Sequence, residues 1–251
     1  MRITVLLRRL RDQPNGTPSK QLLGECEIAA FSTALALREA VPGTQVNVLA
    51  AGPASLEDEV LTRALMAGAD HAVRVSDQCL ESVDYLGIAR VLAAACRKSE
   101  FDLVLCGDRS EDEGQGAVGP AVAELLGIPH VTAVVETALL EEATPTETSP
   151  VLRVSRRDPG MTRTFRLPLP ALITVARTHG PDVVLGTDPL PSCVSPVEAL
   201  DLTCLGIQAA ELRHRDRCIG RAHPVRVMRN ATVVKDADEF LARLREDRLL
   251  P

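Results

Sequence analysis

The sequence predicts an α/β protein: a three-layer, doubly wound, mostly parallel sheet with an added antiparallel hairpin and a C-terminal extension. Three observations carry that expectation. Apolar runs alternate with helical periods through residues 1–135, the connections between them are short, and the runs are apolar on both faces, as doubly covered strands must be. Such strands run parallel through right-handed crossovers, and ligands of such sheets sit beyond the carboxyl ends of the strands.

Taken in order, Ile3–Leu7 reads as a first buried strand, followed by a loop over Asp12–Ser19 and a helix over Glu27–Ala40 with Ile28, Phe31 and Leu35 on its apolar side. Gln45–Ala51 is the second strand, closed by Gly52-Pro53. Ser55 and Asp58 have capping-box spacing and open a helix that carries Val60, Ala64 and Leu65 and stops at Gly68. A strand at Ala72–Val75, a helix from about Asp84 to Lys98 and the strongest strand, Phe101–Cys106, come next. A helix over about Gly116–Leu126 ends at Gly127 and Pro129. Residues 141–150 are polar and Pro-bearing and read as a surface loop.

Beyond them the period changes. Val151–Arg156 and Thr164–Leu169 alternate apolar with polar about the turn Asp158-Pro159-Gly160, which predicts a hairpin. Leu172–Val175 returns as a buried strand, and Arg177–Ser195 reads as a Gly- and Pro-rich surface excursion. Val225–Val227 reads as a short strand, and Asp236 with Glu239 caps a last helix bearing Phe240, Leu241 and Leu244. The elements group into an α/β nucleotide-binding-type domain over residues 1–195 and an extension over 196–251 that packs on it or on a partner.

Composition removes several function classes. A chain of 251 residues with 45% hydrophobic and 25% charged side chains is globular, which excludes fibrous and wholly disordered readings. No run approaches the roughly 18 apolar residues of a membrane helix, and the arginines of MRITVLLRRLRD follow the apolar stretch, opposite to a secretory signal. A cytoplasmic location without membrane insertion is expected. The net charge of −6 and the near absence of aromatics (no Trp, one Tyr, four Phe) argue against a nucleic-acid groove. Seven cysteines without a C-x-x-C pair fit neither a disulfide framework nor a zinc ribbon. His214, Cys218 and His223 lie in an arginine-rich stretch with no finger spacing, so no metal site is expected.

The segment Cys106–Pro120 is the most informative. A glycine-rich loop between a buried strand and a helix gathers backbone N–H groups at the positive end of a helix dipole, which suits a phosphate. The three acids Glu111–Glu113 oppose a bare phosphate cradle and read as solvated charges near the helix start. Arg109 reads equally as a phosphate or flavin contact and as a surface arginine, and Cys26 and Cys106 read as small core residues. The loop is neither the dinucleotide G-x-G-x-x-G nor a Walker loop, and the chain holds no G-x-S-x-G or H-E-x-x-H.

Several segments in joint order resemble the small (beta) subunits of electron transfer flavoproteins, the FixA-like family. They are MRITVLLRRLRD, Cys26-Glu27-Ile28-Ala29, Gly52-Pro53, Ala64-Leu65 with Gly68-Ala69-Asp70, Val118-Gly119-Pro120 with Ala123–Pro129, and Leu169–Thr174. The likeness spans about residues 1–175 and implies an adenine-nucleotide alpha-hydrolase-like fold. It implies a heterodimer with an alpha subunit that carries FAD, a flavin dehydrogenase as donor, and a respiratory or ferredoxin-linked acceptor. It also implies AMP, or a second FAD, on this chain, with cofactor contacts at Leu6, Cys26, Ala51, Gly107, Arg109, Ser110, Asp112, Gly114, Gln115, Gly116, Ala117 and Val118. The chain departs from the family pattern at Leu23, Glu25, Gly116, Ala117, Pro159 and Arg163. Its role would be to position and tune the flavin, with no acid, base or nucleophile of its own. Two alternatives stand beside this one: a degenerate scaffold subunit without nucleotide, and a stand-alone adenine-nucleotide enzyme.

Overall fold

The computed structural model describes residues 1–10, 22–52, 54–112, 114–140, 150–177, 196–212, 233–247 and 249. Residues 1–216 form one unit and 217–251 a second. The first unit holds β1 (Arg2–Leu6), α1 (Glu25–Ala40), β2 (Gln45–Ala51), α2 (Ala54–Met66), β3 (His71–Val75), α3 (Tyr85–Lys98), β4 (Leu103–Gly107) and α4 (Val118–Leu126). It continues through β5 (His130–Leu140), β6 (Val151–Asp158), β7 (Met161–Pro168), β8 (Ala171–Val175) and β9 (Glu198–Leu200). Among the described residues nine strands join one sheet in the order β7-β6-β5-β8-β4-β1-β2-β3-β9.

Residue alternation along the central strands builds the three layers. Ile3, Val5, Val48, Leu105 and Ile173 pack with Phe31 and Ala34 of α1 and Leu61 of α2. Leu6, Leu49, Val104 and Leu172 pack on the other face with Val91 and Leu92 of α3 and Val122 of α4. Each such fully buried side chain contributes about 2 kcal/mol, so neither face can be exposed without losing the fold. The five central strands β3, β2, β1, β4 and β8 are parallel, which makes the sheet doubly wound as expected.

The hairpin forms as the turn chemistry requires. β6 and β7 pair antiparallel from Val151↔Pro168 to Asp158↔Met161, leaving Pro159 and Gly160 as the turn. α3 is capped as read, the Asp84 carboxylate accepting from the Gly87 N–H at 2.8 Å. The capping box expected from Ser55 and Asp58 does not start α2: the helix already begins at Ala54, and Asp58 pairs with Arg74 of β3. Residues 130–140, to which the sequence assigned no element, form β5, which pairs in parallel with β8 and antiparallel with β6. Its apolar period is broken at Ala133, whose φ of 55° marks an irregularity between Val131 and Val134.

The second unit contains α5 (Ala237–Glu246), opened as expected by the Asp236 carboxylate on the Glu239 N–H, 2.8 Å, while Glu239 returns a bond from the Lys235 N–H at 2.9 Å. The expected loop over 12–19, most of the excursions at 141–150 and 177–195, the strand at 225–227, the residues His214, Cys218 and His223, and the boundary at 195 lie outside the described residues. Among the described residues no helix is long and apolar enough to cross a membrane.

Candidate functional site

The parallel register brings three strand ends to one rim. Leu6 closes β1 opposite Leu49 of β2 and Cys106 of β4, Ala51 closes β2 opposite Val75, and Gly107 closes β4 opposite Val175. Leu6 and Ala51 are buried among core residues, so they present backbone to the rim. Helices α1 and α4 start at this edge, and glycine lets both press on it. A Cβ at Gly107 would lie 3.0 Å from the Glu27 nitrogen, and one at Gly119 would lie 2.7 Å from both Cys106 Sγ and Thr174 Cγ2.

The two helix starts differ in charge. α4 is preceded by Ala117, which offers no side-chain cap, and its first turn carries no acid. The loop into it turns through Gly114 (φ 65°) and Gly116 (φ 61°), where an L side chain would be strained. At Gly116 a Cβ would also meet the Asp108 carbonyl at 2.9 Å. The first N–H groups of α4 therefore lie beside small residues at the positive end of the helix dipole.

At α1 the same donors are already met by carboxylates. Gly24 gives no side-chain cap, and Glu25 and Glu27 stand in the first turn. The Glu25 N–H donates to Glu111 Oε1 at 3.0 Å, while the Glu25 carboxylate holds Arg177 at 2.8 Å. Asp112 pairs with Arg8, beyond β1. Glu111 and Asp112, both exposed, reach across to α1 and to Arg8, so the helix start these acids stand near is that of α1; Glu113 lies outside the described residues.

Beneath them sits Glu27, only 7% exposed, with Oε2 lacking a hydrogen-bond partner among the described residues. Burial raises its carboxyl from 4.5 to about 7; Arg8 opposes the rise, and Asp112 and Glu111 reinforce it. The neighbouring Cys106 thiol is pushed well above its ordinary range by burial, so it is no nucleophile.

Asp108 is the first loop residue. Its Oδ1 accepts from the Thr174 hydroxyl at 2.7 Å and from the Ala133 N–H at 3.0 Å, and its own N–H donates to the Val175 carbonyl at 2.9 Å. This latch ties the loop to β8 and to the irregular point of β5. The Arg109 side chain is 68% exposed and lies 3.5 Å from Asp108.

Of the residues expected at a site, Leu6, Cys26, Ala51, Gly107 and Val118 come to this rim on the strand ends and helix starts. Arg109, Ser110, Asp112, Gly114, Gln115, Gly116 and Ala117 form the loop along it. The residues missed were Arg8, Glu27, Asp108 and Thr174. Glu27 carries a signal: it lies four residues from both Leu23 and Phe31, on the buried stripe of α1, where a carboxylate is out of place. A groove of about 460 Å³ lies elsewhere, between the C-terminal turns of α3 and α4 and a short 3₁₀ turn at Ala209–Leu212. Its Arg90 and Arg97 are held by the carbonyls of Glu211 and Leu125.

Comparison with known proteins decides the family. The electron transfer flavoprotein domain matches residues 23–189, which include the rim from Gly24 to Arg177. The chain belongs to this family. Within it, the electron transfer flavoprotein domain of this chain is similar to Protein FixA of Bradyrhizobium diazoefficiens, 33% identical over 165 residues, covering 64% of this chain and 54% of that one. Protein FixA of Azorhizobium caulinodans is 34% identical over 165 residues, 64% of this chain and 56% of the relative. The electron transfer flavoprotein subunit beta of Thermoanaerobacterium thermosaccharolyticum is 36% identical over 117 residues, 47% and 44%. The chain thus spans about half the length of the curated relatives it matches.

Proposed function

We propose that this chain is the small subunit of an electron transfer flavoprotein, pairing with an FAD-carrying alpha-like subunit and holding an adenine nucleotide on its own rim. The observation that carries this reading is that β1, β2 and β4 end side by side at one rim, where α4 starts uncapped and with no acid in its first turn. The backbone of that loop suits a nucleotide phosphate: glycines at 114 and 116, a small residue at 117, and the N–H groups of residues 116–119, with Pro120 next. The buried Leu6 and Ala51 provide backbone at the strand ends for the rest of the nucleotide.

The flavin of the partner supplies the electron-carrying ring. This chain's residues bind, orient and exclude water: the latch of Asp108 on Thr174 and Ala133 fixes the loop, and the dipole of α4 stabilises negative charge at the edge facing the ligand. Electrons would pass from a flavin dehydrogenase to a respiratory or ferredoxin-linked acceptor through the partner's FAD. A scaffold without nucleotide is the second reading, favoured by the carboxylates gathered at α1.

The test is co-expression with an alpha-like flavoprotein chain, an absorbance spectrum of the purified complex, and identification of the nucleotides released on denaturation. A yellow one-to-one complex that releases FAD and AMP, or two FAD, is expected. A yellow complex that releases FAD alone would establish the scaffold reading, and a chain that never forms a complex would overturn both.

A further inference from the structure

The sheet has two edges, and they are unequal. β9 is three residues long, whereas β7 runs for eight, from Met161 to Pro168, and among the described residues has β6 as its one neighbour. The two strands flank a two-residue turn, so Met161 and every second residue after it bond β6, and the N–H groups of Thr162, Thr164 and Arg166 point out from the edge. An open edge of this length is a template for another chain unless something blunts it. The pairing of β7 with β6 holds no bulge, and the one proline of β7 is its last residue.

Pleating sorts the side chains of this edge onto two faces. Phe165 and Leu167 pack with Leu152 and Val154 in the core, and Arg163 on the same face is met by Asp158, which also holds Arg156. Arg153, Arg157 and Arg166 are exposed on the other face, with Arg153 directly opposite Arg166. Like charges placed opposite one another cost stability. The hairpin over residues 151–168 carries five arginines against one acid in a chain whose net charge is −6, so this is a basic edge on an acidic chain.

We propose that β7 is a docking edge that takes, by strand addition, an extended segment of a partner protein in which acidic and apolar side chains alternate. The outward N–H groups supply the backbone ladder, and the pleat supplies the pattern. Residues of an added strand fall by turns on the face of Arg153, Arg157 and Arg166, where carboxylates are complementary, and on the face of the half-exposed Met161 and of Phe165, where apolar side chains are. A second copy of this chain is a poorer occupant, because β7 holds two arginines and no acid and would bring cations to cations. A nucleic acid would meet the arginines and leave the ladder unpaired.

The test adds three labelled probes to the full chain at low salt: a synthetic peptide as long as β7 that alternates glutamate with valine, its lysine–valine counterpart, and a single-stranded oligonucleotide of matching length. Affinity is read by fluorescence anisotropy and contact by amide hydrogen exchange of the chain. The glutamate peptide is expected to bind about tenfold tighter than the lysine peptide and to slow exchange at Thr162, Thr164 and Arg166. The double variant R153E/R166E, altered at exposed positions only, is expected to keep the wild-type melting temperature and to weaken the glutamate peptide about tenfold, and R157E about threefold. Equal binding of the lysine peptide, tighter binding of the oligonucleotide, or binding that leaves those three amides unprotected overturns the inference. So does a glutamate peptide that fails to bind at about millimolar concentration, or a chain that dimerises by itself with the same amides protected. None of these results bears on the nucleotide reading, which concerns the opposite end of the strands' chemistry and is tested separately by the released nucleotides.

Discussion

Helices α1 and α4 both begin at the carboxyl edge of the same parallel sheet, both press on it through a glycine, and both lack a side-chain cap. One start is crowded by Glu25, Glu27 and Glu111, and the other is bordered by glycines and an alanine. Both starts carry first-turn N–H groups, α1 after an extended Gly24 and α4 after a helical Ala117 with Pro120 as its third residue. Side-chain charge makes them opposites, and it does so through residues that lie more than eighty positions apart, since Glu111 of the β4–α4 loop is what closes α1. The loop sequence thus sets the charge at the start of α1.

The largest expected effect breaks the α1 side of that comparison. Glu27 has its carboxyl raised from 4.5 to about 7 by burial, so the native state keeps a proton that the unfolded chain has already lost. Stability therefore falls as pH rises from about 4.5 to about 7, by about 3 kcal/mol at completion, and is flat above. In E27Q this slope should vanish. Denaturant titrations from pH 4 to 8 are expected to show the variant ahead of wild type by up to about 3 kcal/mol above pH 7 and level with it near pH 4. Parallel pH profiles would show that the buried carboxyl is not what strains this end.

A smaller effect breaks the α4 side. In G119A the added methyl would stand 2.7 Å from Cys106 Sγ and Thr174 Cγ2, atoms of two buried strands that cannot swing aside. Stability should drop by about 1–3 kcal/mol, and AMP affinity should weaken about tenfold as the α4 start is pushed off the strand ends. Equal AMP binding by G119A and wild type would mean that the phosphate does not depend on where α4 begins.

Much of this architecture was legible in the sequence because it rests on local pattern. The doubly apolar runs of β1, β2, β4 and β8 announce buried parallel strands, Asp158-Pro159-Gly160 announces the hairpin, and Asp84 announces the start of α3. β5 escaped because Ala133 breaks its period in a strand that must pair in opposite senses on its two sides. At the rim, glycine spacing exposed the loop, while its charge pattern stayed hidden. Which helix start Glu111 stands near, and that Asp108 reaches Thr174, depends on contacts between residues 66 to 86 positions apart. Glu27 was the one hidden group with a local signature, a carboxylate on a buried helical stripe.

The most direct test of this account is the amide spectrum of the full chain, labelled with ¹⁵N, as AMP is added. The account predicts that the backbone N–H signals of Gly116, Ala117, Val118 and Gly119 move with saturation while those of Glu25 and Cys26 stay in place. Shifts confined to Glu25 and Cys26, or none at residues 116–119 while AMP binds, would contradict it.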